Sequence, residues 1–201
     1  MPRYIEQITN IARSIPKVKD SITLGVISGL LGTLALDILN LRNWRRNKTE
    51  SLYGHIAGSI FMKGFRTKRR GNFLFGQINH MLSGALAGIP LVYLFKFTGK
   101  DHPILKGASY GSVIWMVYYV LGIKSGLFRS SPKLNKSHKS NLWQNLVFGV
   151  ASAKAITSLA DPSIFRTAPL EEQKLDGEAK VSPGAWTLPY YTDYETEKAI
   201  H

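Results

Sequence analysis

Residues 73–98 read FLFGQINHMLSGALAGIPLVYLFKFT, and the only charge in the stretch is Lys96. At 1.5 Å per residue, its roughly 23 uncharged positions cover the roughly 30 Å hydrocarbon core of a bilayer, so the stretch reads as a membrane-spanning helix. Gly76, His80, Gly84 and Gly88 recur in it at every fourth position. One helical face therefore holds three residues without bulk and one that can ionise, a surface suited to close approach by another helix. Gln77 and Asn79 lie in its first half and Pro90 in its second, where a kink is expected.

Working outward, three more apolar segments stand near spanning length: 21–41, 104–121 and 142–160. The mean hydropathy of the whole 201-residue chain is only -0.06, because polar connections dilute these blocks. In the first span Gly25 and Gly29 form a GxxxG pair continued at the same spacing by Thr33 and Asp37. The third holds Gly107 and Gly111, and the fourth, the weakest, holds Asn145 and Gly149 on one face, with Lys154 near its middle. Lys154 must either pair inside or stretch toward the interface near Asp161. The short polar turn GKDHP at 99–103 makes the second and third spans antiparallel neighbours. The fold expected is an all-α, four-helix transmembrane bundle.

Charge collects in the connections. Formal net charge is +13. The 42–72 connection carries nine Lys and Arg, among them Arg45, Arg46, Lys63, Arg66, Lys68, Arg69 and Arg70, and the 122–140 loop carries five. Basic residues at the ends of apolar spans fit anionic lipid headgroups and positive-inside loops, which argues against nucleic acid as the partner. By the same rule both loops are cytoplasmic and both termini outside. Between the two basic clusters of 42–72 lies SLYGHIAGSIFMKGF, with Leu52, Tyr53, Ile56, Ile60 and Phe61 on one helical face. It reads as an amphipathic helix lying in the membrane interface or docked on the ends of the bundle. Residues 1–20 read as an amphipathic arm ended by Pro16, and 162–201 as a flexible acidic tail.

Helix arithmetic places Asp37, Asn40, Gln77 and Asn145 within roughly 10 Å of the basic side and His80 about 12 Å in. A carboxylate inside a span costs a few kcal/mol unless it finds a partner, so Asp37 and His80 are expected as hydrogen-bonded neighbours in a polar pocket with Asn40, Gln77 and Asn145. Two uses remain open, an ion, proton or ligand site, or ties between helices. Catalysis finds no support. There is no cysteine, the five histidines have no ligand spacing, and GASYG at 107–111 matches the G-x-S-x-G pattern only inside a helical apolar run. No metal and no cofactor is expected.

The pattern formed by Gly29, Gly32, Thr33, Asp37 and Asn40, the segment Tyr53 to Phe61, the second-span Gly76, His80 and Gly84, and TGKDHPILKG at 98–107 resembles a family of small four-helix inner-membrane proteins of spore-forming Firmicutes. The resemblance covers roughly residues 22–160 and implies the bundle and its location, with no activity attached. The reading that results is a non-enzymatic integral membrane protein that binds lipid or a membrane partner, with self-association through small-residue faces as one form. The alternative is a small transporter or channel using Asp37 and His80.

Overall fold

The structure, a computed structural model, describes residues 16–130 and 132–165. Among them every regular element is helical. Helix α1, Ser21–Arg45, begins where the Asp20 carboxylate accepts the Thr23 amide at 2.5 Å, an N-cap that also holds the carboxyl below its ordinary range. Arg42 and Arg45 sit in its last turn, at the negative end of the helix dipole. A short helix, α2, spans Tyr53–Gly58, and a 3-10 turn follows at Gly64–Lys68. Helix α3 spans Arg70–Thr98 with Pro90 inside it and stops at Gly99, whose φ of +82° suits glycine. Pro103 opens α4, Pro103–Lys124, which widens into a π-helical stretch at Trp115–Leu121. Helix α5 spans Asn135–Leu159.

The long helices stand in the order α3, α1, α5, α4. Helix α1 packs against both α3 and α5, and α4 packs against α5, whereas α3 and α4 scarcely meet. Each packed pair is antiparallel. Gly25 and Gly29 of α1 face Ile89 and Gly84 of α3, and Gly107 and Gly111 of α4 face Gly149 and Asn145 of α5. In consequence the C-termini of α1 and α4 share one end of the molecule with the N-termini of α3 and α5. An apolar core of Leu24, Leu91, Val92, Phe95, Ala153 and Ile156 fills the opposite end.

Helices α1, α3 and α4 are long and apolar enough to cross a membrane. Their outward faces carry Ile22, Leu34 and Ile38, then Leu74, Ile78, Leu82 and Leu86, then Ile104, Leu105, Val113 and Leu121, all exposed. Helix α5 has the length but not the composition. It starts at Asn135 rather than at 142, so it takes in six residues of the expected 122–140 loop, and its inner face is polar at Ser137, Asn141, Gln144, Asn145 and Ser152. Lys154 is exposed five residues before the helix ends and lines a shallow recess with His102 and Leu105.

The 51–65 segment departs from a long interfacial helix. Only six residues are α-helical, and they are docked on α3 through glycines, since a Cβ at Gly76 would overlap the Gly54 carbonyl and stand 2.9 Å from the Gly58 Cα. Of the apolar face, Tyr53 and Ile56 are buried while Phe61 is exposed. Residues Pro162–Phe165, placed by sequence in the tail, form a 3-10 turn with Ile164 buried in the core. Just ahead of it, Val18 and Ala160 form an isolated bridge, with the Val18 amide donating to the Leu159 carbonyl at 2.9 Å. The remainder of the expected tail and residues 1–15 of the expected arm lie outside the described residues.

Glu50 ties the α1–α2 connection to α5. Its Oε2 accepts the Lys133 and Leu134 amides at 2.7 and 2.8 Å and the Ser137 hydroxyl at 3.2 Å, occupying the donors at the start of that helix. The Leu134 amide does most to hold the carboxyl below its ordinary range, opposed by desolvation and aided by Lys133, Ser137 and Lys136. A depressed carboxyl stabilises the fold fully above the ordinary value of 4.5, and that contribution fades as pH falls through the folded value. Melting curves should therefore show wild type losing stability on acidification below that value, with Glu50→Gln lacking this increment. Because the carboxylate is exposed and screened, the neutral-pH loss should stay below about 1 kcal/mol. An identical acid slope in both proteins would remove Glu50 from this role.

Candidate polar site between α1, α2 and α3

Asp37 sits on α1 eight residues before Arg45, so its carboxylate lies roughly 12 Å along the axis from that end. It is flanked by exposed Leu34 and Ile38 and turns into the seam with α3. There Gln77 Nε2 donates to Asp37 Oδ2 at 2.6 Å, and His80 Nε2 stands 3.1 Å from Oδ1. The His80 contact has the distance of a hydrogen bond without an in-line angle. Both side chains are only about one-fifth exposed or less, 21% for Asp37 and 15% for His80, so the pair is shielded yet not sealed.

Tyr53 connects this pair to the rest of the polar set. Its ring stacks on the His80 imidazole with centroids 4.8 Å apart and planes 9° from parallel. Its hydroxyl accepts Asn145 Nδ2 at 3.0 Å, and its amide donates to Asn40 Oδ1 at 3.2 Å. Asn40 Nδ2 in turn reaches Gln144 Oε1 at 3.2 Å, and Ser140 Oγ accepts from Gln144 and Asn43, each at 2.9 Å. Asp37, Gln77 and His80 thus form one cluster, while Asn40 and Asn145 join it only through Tyr53. The sequence assigned Tyr53 to an apolar face, since a tyrosine among Leu52 and Ile56 satisfies that pattern. A readable signal existed on α5: Asn141 follows Ser137 by four residues, Gln144 and Asn145 follow Asn141 by three and four, and Ser152 follows Asn145 by seven, the spacing of one helical face.

The eight glycines singled out by spacing all pack within the chain. Gly84 lies against Thr33, Gly88 against Gly25 and Gly29, Gly76 against α2, and Gly107 and Gly149 against each other's carbonyls. No glycine of this set remains outward to receive a second copy. Arg45, Arg46, Lys63, Arg66, Lys68, Arg69 and Arg70 are all exposed at the shared end of α1 and α3. Among the described residues no group of three His, Asp or Glu gathers as a metal site.

Beside the cluster, on the side facing α4, is a half-enclosed cavity of about 140 Å³. Its walls include Leu36 of α1, Ile56 of α2, His80 and Ala87 of α3, Tyr119 of the π-helical stretch and Phe148 of α5. No family model, curated protein or solved structure matches this chain. Its chemistry therefore rests on its own geometry. The carboxylate–imidazole–amide cluster can bind a proton or bridge helices. The adjoining cavity is a separate, mostly carbon-lined space.

Proposed function

We propose that this protein is a non-enzymatic, multi-pass protein of a bacterial inner membrane that binds anionic lipid headgroups through one basic end, with α5 as a fourth span. The Firmicutes family likeness forms part of the same proposal. The observation that carries it is the antiparallel arrangement of three apolar helices, which gathers 14 of the Lys and Arg, nine from 42–72 and five from 122–140, at one end. The exposed aliphatic faces of α1, α3 and α4 supply the surface that hydrocarbon would cover. With the basic end on the cytoplasmic side, both termini lie outside. On this reading α2 is re-entrant: Tyr53 lies level with His80, ten residues or roughly 15 Å along α3 from Arg70, and its backbone is tolerated at that depth because it is buried against α3.

Each basic residue near an anionic surface contributes about 1 kcal/mol, or roughly fivefold in affinity. In nanodiscs of mixed lipid, wild type should retain phosphatidylglycerol in preference to phosphatidylcholine, and Arg66→Gln, Lys68→Gln, Arg69→Gln and Arg70→Gln combined should abolish most of that preference. Equal retention of the two lipids by wild type would refute the reading. The Asp37–His80 contact keeps the second reading in play, a small transporter or channel. Proton flux in reconstituted vesicles that is lost in Asp37→Asn would move the function there.

A further inference from the structure

We infer that the cavity between α3 and the π-helical stretch of α4 holds the acyl chain of a membrane phospholipid, an inference that rests on the proposed membrane location. The first observation is where the polar atoms on its wall point. Thr33 Oγ1 donates to the Gly29 carbonyl at 2.7 Å and Ser83 Oγ to the Asn79 carbonyl at 2.9 Å, each within its own helix. Asn145 Nδ2 is taken by the Tyr53 hydroxyl and the Asn141 carbonyl. His80 Nε2 stands 3.1 Å from Asp37 Oδ1 but off the line of a hydrogen bond, and Asp37 does not line the cavity. The Tyr119 hydroxyl is buried beside Asn141 without a hydrogen bond of its own. What faces the space is mostly ring and aliphatic carbon, from side chains that include Leu36, Ile56, Ile114, Phe128 and Phe148.

Such a wall offers little to orient a polar solute or to hydrate an ion. Apolar cavities near this size stay dry and take up hydrocarbon. The second observation is access. Helices α3 and α4 scarcely meet, so the cavity lies behind a lateral gap, and Tyr118 and Leu127 on its wall are about half exposed. Exposed aliphatics stand on the outward faces of both helices, Leu82 and Leu86 on α3 and Val117 and Leu121 on α4. On the membrane reading, a chain leaving the surrounding hydrocarbon passes between them without crossing a polar layer. The third observation is charge at the near end of the wall. Ile60 and Phe128 are followed closely by Lys63 and Arg129, so a phosphate headgroup has cations within reach of the site its chain occupies.

The test uses the full chain in vesicles of phosphatidylglycerol bearing a diazirine on one acyl chain, with adducts located by peptide mass spectrometry. Photolysis should label the inner wall at Leu36, Ala87 and Phe148, each buried to within 6% of complete, as well as the outward Leu82, Leu86 and Val117. Ser83→Phe and Ala57→Phe each place a ring in the cavity, and each should lose the inner adducts while keeping the outer ones and the wild-type melting midpoint, which reports that the variant is folded. Wild type labelled only on outward residues overturns the inference and leaves the membrane reading standing. Inner adducts that persist in both filled variants overturn it as well. Absence of adducts on both faces overturns the membrane reading and the inference together.

Discussion

Gly88→Ala should separate α1 from α3 and lower stability by about 1–3 kcal/mol or more, the usual cost of overpacking. A Cβ at this position would overlap the Gly25 carbonyl oxygen and stand 2.7 Å from the Gly29 nitrogen and 2.8 Å from its Cα. All three are backbone atoms, so no rotamer change relieves the overlap and a helix axis has to move. That displacement would also draw Asp37 away from Gln77 and His80 along the same seam. The matched control is Gly71→Ala in the first turn of α3, where a Cβ meets nothing within 4 Å. It should leave stability unchanged or raise it slightly, because alanine is the better helix former by up to about 1 kcal/mol. Thermal melting in detergent, or the midpoint of a denaturing-detergent titration, compares the two directly. Equal midpoints would show that this crossing is looser than the backbone distances say.

Tyr53→Ala should be the most damaging change outside the glycine crossings, at about 3–5 kcal/mol, the range for removing a buried aromatic side chain. The loss has three parts: the ring stacked on His80, the acceptor for Asn145, and part of a cavity wall that would enlarge. Tyr53→Phe isolates the hydroxyl. Asn145 Nδ2 retains the Asn141 carbonyl at 2.8 Å, so this variant should lose only about 1 kcal/mol. Proteolysis at 49–67 gives a second readout, since the alanine variant should release α2 from α3 before the bundle melts. If the alanine and phenylalanine variants melted together, the ring would not be holding α2 in place.

The helical character of the described residues was legible from residue order, as were three of the four expected spans, because length and composition are local properties of a segment. The four-residue recurrence of Gly76, His80, Gly84 and Gly88 was legible for the same reason, since a helix converts that spacing into one face. Asp37 also stood out without coordinates, as a carboxylate among aliphatics that needs a partner.

What each face meets was decided only by tertiary structure. Gly84 and Gly88 lie against α1 while Gly76, on the same ladder, receives the short helix α2, and spacing contains nothing that separates these partners. Tyr53 shows the limit most sharply. One residue in an amphipathic pattern looks the same whether its ring rests on lipid or on a histidine, and only the fold of 46–69 back along α3 brings it to His80. Helix α5 is the converse case. Its hydropathy is low partly through exposed Asn135, Lys136, Lys139 and Lys154 and partly through side chains turned inward, on Asn40, Asn43 and Tyr53, and a one-dimensional sum cannot distinguish a polar atom facing solvent from one already bonded in the core.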